Sequence, residues 1–268
     1  MEKMSTKTKN VVLGLIFALL VASTVQAVNI TWKPTTQTDG QYLWSDSTNW
    51  STGTVPLTTD AALFNVASTA VINSSETVSN VFIGYATGGS VGNLTVANGG
   101  NLTVLTGLLD IGRNGTGTLT VDPGAVITVS ASSGIYLGHY AAGNGTFIMN
   151  GGDVTTTKLM LGYTSGAVIS LQLLGGTLNA ASWDFSKAGI TRQLLVGEGT
   201  IKVSGDGTAT IATQIANGVI TATTGRTLAY DYDITTPGKT TLYSVIPEPA
   251  TISMLVIGTG LIFRKRSK

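Results

Sequence analysis

Cysteine is absent from the 268 residues. That excludes a disulfide framework, a thiolate zinc site and a cysteine nucleophile. Histidine is nearly absent: His139 is the only one, and no serine or carboxylate can be assigned to it from spacing, so a Ser-His-Asp triad has little support. Charged residues make up only 11%, with 15 Lys and Arg against 14 Asp and Glu. Few carboxylates share a strand at i, i+2. The pair Asp231 and Asp233 in "YDYD" is one, and its place near a frayed C-terminal end reads as solvated surface charge rather than a catalytic dyad. The glycine-rich turns "NGGNLTV" and "NGGDVTT" lack the aspartate placement of a calcium-binding nonapeptide. No metal and no cofactor are therefore expected.

What charge there is gathers at the ends. Lys3, Lys7 and Lys9 precede an apolar run of 12 residues, Val11 to Ala22, and "VQA" at 25–27 places small residues where a signal peptidase cuts. This is the pattern of a secretory signal peptide (1–27), with cleavage after Ala27. Without the basic residues of the two ends (Lys3, Lys7, Lys9, Arg264, Lys265, Arg266 and Lys268) 8 of the 15 remain, and without Glu2 and Glu248 12 of the 14 acidic ones do. The exported part thus carries a net charge near −4 and no basic patch, so nucleic acid is not an expected partner.

Between the ends the chain repeats itself. "VFIG" (81–84), "LDIG" (109–112), "IYLG" (135–138), "LMLG" (159–162) and "LLVG" (194–197) share a pattern, their glycines spaced by 28, 26, 24 and 35 residues, the last interval reading as an insertion. One residue before each glycine stand Ile83, Ile111, Leu137, Leu161 and Val196, and three before stand Val81, Leu109, Ile135, Leu159 and Leu194. The column between them tolerates polarity (Asp110, Tyr136). This is period-2 alternation, the mark of strands with one buried face. "GNLTVANGGNLTV" (92–104), "GTLTVDPGAVITV" (117–129), "GTFIMNGGDVTT" (145–156) and "SLQLLGGTLNA" (170–180) each add two short strands around a glycine turn. A unit of about 25 residues with three strands cannot bury its apolar face alone, but stacked units can.

The expected fold is therefore all-β: a β-solenoid, most simply a right-handed parallel β-helix, over 61–204. A Trp-rich cap (28–60) would precede it, and degenerate coils or a second cap (205–244) would follow. Turn signals every 8–12 residues also suit an antiparallel β-sandwich, which stands as the alternative.

Candidate binding residues are few. The positions following the repeat glycines are Tyr85, Arg113, His139, Tyr163 and Glu198, which would form a row along one solenoid edge. Aromatics and a guanidinium in a row can stack on sugar rings, although an exposed, varied turn position is the favoured account of them. Trp44 and Trp50 admit two readings, a carbohydrate platform or the apolar filling of a cap, of which the cap is favoured. A polysaccharide lyase or hydrolase would instead need Arg113, Lys158 or Arg192 beside two carboxylates in a groove. The seven N-x-[ST] sequons follow from the frequency of Asn and Thr in these turns and strands.

The C-terminus (245–268) reads "IPEPATISMLVIGTGLIFRKRSK" from Ile246. Ala250 to Phe263 is a run of 14 apolar or small residues. As a helix it spans about 21 Å, against a hydrocarbon core of about 30 Å. Arg264, Lys265, Arg266 and Lys268 would hold its end in the cytoplasm. An LPxTG-type pentapeptide is lacking, and a glycolipid-anchor signal has no terminal basic cluster. The order Pro247-Glu248-Pro249, short apolar helix, basic cluster resembles the PEP-CTERM sorting signal of exosortase substrates, with Ile246 where that signal commonly has Val. The segment "W…NWSTGTVP…DAALF" followed by glycine-rich coils looks more loosely like autotransporter-associated β-strand repeats. The resemblance implies a Gram-negative, polysaccharide-producing cell and a temporary inner-membrane station. It also implies processing by signal peptidase and an exosortase-type membrane protease, then release to the cell surface or extracellular matrix. The function expected is a non-catalytic matrix or biofilm protein, with extracellular polysaccharide as a partner. A carbohydrate-binding module and, less favoured, a β-helix polysaccharide lyase or hydrolase are the alternatives.

Overall fold

A computed structural model of the chain describes residues 27–247. The body of the signal peptide, Glu248, Pro249, the apolar run and the basic cluster lie outside the described residues.

Alternating apolar residues in short strands, separated by turns that glycine can make, leave the chain one way to hide its apolar side: coil it and stack the coils. The fold is a parallel β-solenoid of about seven turns. Strands from successive coils line up in three sheets, of seven, eight and eight strands. In the first sheet Val81 pairs with Leu109, Leu109 with Ile135, and Ile135 with Leu159. In the second, Leu94, Leu119, Phe147, Leu171 and Leu194 follow one another across the coils. In the third, Leu102, Ile127, Val154, Leu178 and Ile201 do the same. All of these are buried. Each contributes about 1.5–3 kcal/mol by leaving water, and in-register stacking makes every column continuous. The outward column of the third sheet runs Thr77, Thr103, Thr128, Thr155. These parallel registers rule out the antiparallel sandwich.

One alignment is corrected. The stretch "LLVG" at 194–197 does not continue the first sheet. Its strand Thr191–Val196 lies in the second sheet, with Leu194 beside Leu171 and Val196 beside Leu173. The first sheet continues instead through Trp183, beside Leu159, and Asp184, beside Met160. The insertion read into the 35-residue interval therefore dissolves. The backbone distinguishes the two classes of glycine: Gly84, Gly112, Gly138 and Gly162 have φ between +63° and +84°, whereas Gly197 is not among the positive-φ glycines. Tetrapeptide similarity misassigned it because every inward-facing strand of a solenoid reads aliphatic–x–aliphatic.

The Trp-rich N-terminal stretch is part of the stack as well as its plug. Asn29–Thr31 pairs in parallel with the strand Ala61–Phe64, and Tyr42–Leu43 with Thr69–Ile72. Trp32, Trp44 and Trp50 converge on Phe64, their ring centroids 5.8, 5.5 and 5.7 Å from its own. They fill the open end of the core. At the other end the stack stops where register is lost. The helix Thr208–Ala216 buries Ile211, and the strands Thr227–Tyr232 and Lys239–Val245 form an antiparallel pair that closes on Thr200–Ser204. The sequence reading of 205–244 as degenerate coils missed that helix, although Ile211 and Ile215 stand at i, i+4 and Asp206 accepts from the Thr208 amide at its start. Among the described residues no helix is long and apolar enough to cross a membrane.

Candidate functional site

The site is built on the first sheet and the turns that follow its strands. Four of those strands, Asn80–Ile83, Leu108–Ile111, Gly134–Leu137 and Leu159–Leu161, run into a positive-φ glycine, and the next residue projects from the edge. Coils stack about 4.8 Å apart, so Tyr85, Arg113, His139 and Tyr163 climb one edge in order, as the repeat implies. Glu198 is not in that row. It sits on another part of the surface, 3.3 Å from Arg226 Nη1, because its strand belongs to the second sheet. The row continues at Lys187, whose Nζ lies 5.6 Å from the Tyr163 ring centroid.

The strand residues beneath supply a second layer. The position between the two aliphatic columns holds Phe82, Asp110, Tyr136 and Met160 in register. Alternation points Asp110 outward, yet its exposure is 0%. Arg113, three residues on, and His139, from the next coil, fold over it. Asp110 Oδ2 accepts from Arg113 Nη1 at 3.3 Å and lies 2.7 Å from His139 Nδ1. Oδ1 has no hydrogen-bond partner among the described residues. Burial pushes the Asp110 carboxyl above its ordinary range, against the pull of His139 and Arg113.

Around this centre the rings pack closely. The Arg113 guanidinium lies 4.4 Å over Phe82 and 5.4 Å from both Tyr85 and Tyr140. His139 stacks on Tyr140 with centroids 4.4 Å apart and planes 9° from parallel, and meets Tyr136 and Tyr163 at 4.9 and 5.1 Å. Cation–π contact of this kind holds the guanidinium flat against apolar surface without consuming its N–H donors. A shallow groove of roughly 410 Å³ opens beside it, lined by Tyr85, Ala86, Thr87, Arg113, Asn114 and Tyr140.

The other candidates fall elsewhere. Trp44 and Trp50, with exposures of 0% and 2%, turn no face to solvent. The carbohydrate platform proposed for them is therefore corrected: they are the plug of the core, tied together by the Trp50 indole N–H donating to the Trp44 carbonyl at 2.7 Å. Lys158 is 4.0 Å from Asp184, and Arg192 donates to the backbone carbonyls of Leu161 and Lys187, so neither joins Arg113. The Asp231 and Asp233 carboxylates cap a turn, accepting from the Thr235 and Gly238 amides at 2.9 and 2.6 Å. No group of three or more His, Cys, Asp or Glu placed to hold a metal occurs among the described residues. Pro247 is exposed at the limit of the described residues, and Glu248, Pro249, Arg264, Lys265, Arg266 and Lys268 lie beyond it. Phe82 and Tyr140 were missed in the sequence, since only the fold shows that they flank Arg113. The i, i+3 spacing of Asp110 and Arg113 was the available signal.

Fold and edge together define the class: a parallel β-solenoid that carries one aromatic, charge-bearing edge. No protein-family model matches the chain, and neither the curated proteins nor the solved structures contain a match to it.

Proposed function

We propose that the chain is a non-catalytic cell-surface or extracellular-matrix protein, a stiff solenoid that signal peptidase and an exosortase-type protease deliver from the inner membrane to the outside. The observation that carries the scaffold part is the in-register stacking of three apolar columns, one of them behind an outer column of threonines (Thr77, Thr103, Thr128 and Thr155). Such a stack resists bending because each internal strand of the three sheets is hydrogen-bonded on both sides.

Two features of the ends support the processing. The Val28 amide donates to Asp60 Oδ1 at 3.0 Å, and Asp60 is buried. Cleavage after Ala27 turns that donor into an ammonium group and the contact into an ion pair, so the fold already holds a counter-charge where a new N-terminus would lie. At the other end Ile246, 70% exposed, and Pro247 lie past the last strand, at the surface where the described residues end. A second reading, a carbohydrate-binding surface module, is favoured by the Tyr/Arg edge and no longer by the tryptophans.

The test is the intact mass of the native protein recovered from the cell surface or medium. The expected species begins at Val28 and lacks everything beyond the Pro-Glu-Pro region. A species retaining Lys268 overturns the sorting reading and makes the tail a plain anchor.

A further inference from the structure

The Arg113 guanidinium is held on three sides yet only partly engaged. Phe82 lies under it, Tyr85 and Tyr140 flank it, and Asp110 stands behind it. Its single hydrogen bond among the described residues is the one from Nη1 to Asp110, at 3.3 Å. A guanidinium carries five N–H donors, so most of its fork is free. The groove beside it has no carboxylate in its lining, because Asp110 is buried behind Arg113 and faces no ligand. Thr87 offers a hydroxyl. The Asn114 amide donates its N–H to the Tyr85 carbonyl at 3.2 Å, which leaves its oxygen without a partner among the described residues. The volume, roughly 410 Å³, falls in the range of small-ligand sites.

A ligand fitting this set has a flat C–H face for a tyrosine ring, a rim of hydroxyls for Thr87 and Asn114, and an anionic oxygen pair for the free fork. We propose that the groove binds an acidic pyranose sugar, a uronic acid unit of an extracellular polysaccharide. The sugar ring packs on Tyr85 or Tyr140, and its carboxylate engages Arg113. Charge-assisted, two-pronged pairing is the strong mode available to a guanidinium. A neutral sugar covering Arg113 would desolvate its free donors without that compensation. The exported part is acidic overall, with 12 acidic against 8 basic residues, so general attraction cannot draw in a polyanion and any binding of one must be local. Further along the edge Tyr163 is 44% exposed, so a neighbouring sugar of one chain has another ring to meet. Polysaccharide as the natural source rests on the exported location proposed above, but the site itself does not.

The experiment titrates the purified protein, by calorimetry at about 0.15 M salt, with oligogalacturonate, oligomannuronate and neutral galacto-oligosaccharide of matched length. A uronate is expected to bind at least about tenfold more tightly than the neutral oligomer, a difference of about 1.4 kcal/mol. Arg113→Gln should remove that preference. Tyr140→Ala, at a side chain 39% exposed and outside the core, should weaken acidic and neutral sugars alike. Lys202→Gln, on the third sheet, should change nothing. Because Arg113→Gln strips Asp110 of a partner, the double variant Asp110→Asn/Arg113→Gln is titrated beside it, with thermal melts to establish folding. Equal affinity for neutral and acidic oligomers, a preference that survives both Arg113 variants, or no saturable binding of either uronate overturns the proposal. Failure here with a mature mass matching Val28 and a processed tail leaves the scaffold and sorting reading intact. The reverse result would leave the sugar site standing on a differently anchored protein.

Discussion

Asp110 departs furthest from what its place in the alternation implies: an outward strand position that carries a charge and no solvent. Its neighbours explain how that is sustained. Arg113 reaches back from its own coil and His139 down from the next, so the carboxylate is capped by two side chains rather than by water. Burial still outweighs them, and the carboxyl is raised above its ordinary value of 3.8. For a group raised on folding, the stability it allows is fully present below its unfolded value and is lost as pH rises through the folded one. Asp110→Asn cannot ionise and escapes that loss. Its melting temperature should exceed the wild type's at pH 7, and the gap should close as pH falls towards about 3.8. Melts between pH 3 and 8 read this directly. A constant gap, or a less stable variant at pH 7, would show that the Arg113 and His139 contacts dominate instead.

At the scale of the element, the turn glycines decide which strand follows which. A Cβ on Gly112, whose φ is +72°, would stand 2.4 Å from the backbone of Asn144 in the next coil. One on Gly197 would meet nothing nearer than 3.2 Å. Gly112→Ala should therefore destabilise by at least about 2 kcal/mol, from the left-handed backbone and the collision together, and Gly197→Ala by clearly less. Equal losses in denaturant titrations would return Gly197 to the same class as Gly112. The first coil admits a parallel test. Trp50 packs edge-on against Trp32 and Trp44 at 4.9 and 4.8 Å, so Trp50→Ala should cost about 3–5 kcal/mol. A loss under 1 kcal/mol would mean that the end of the core is not sealed by these rings.

For the whole molecule, stability comes from repetition. No coil has a core of its own, and each inward residue is covered by its equivalents above and below. The ends are where repetition fails, and each is closed differently: a knot of indoles at one, a helix and an antiparallel pair at the other. Val28 and Ile246, near the two ends of the described residues, are exposed, which suits the surface scaffold proposed above, and the intact mass tests that proposal at the same scale. An edge row on four successive coils, Tyr85, Arg113, His139 and Tyr163, suits the polymer proposed above better than a single small molecule, and the titrations with oligomers test it.

Much of this was legible in the chain. The inside–outside alternation of Val81, Leu109 and Ile135, the 24- to 28-residue spacing, and the edge row Tyr85, Arg113, His139 and Tyr163 follow from residue order, because a period-2 pattern repeated at fixed length leaves one way to bury its apolar side. Four things needed the tertiary structure: that Leu194 belongs to the second sheet, that Trp44 and Trp50 face inward, that Phe82 and Tyr140 flank Arg113, and that Asp110 is sealed. Local pattern says which side of a strand is apolar, whereas these facts depend on contacts between residues a coil or more apart. The same short pattern serves all three sheets, and only stacking determines which coil and which sheet each copy joins.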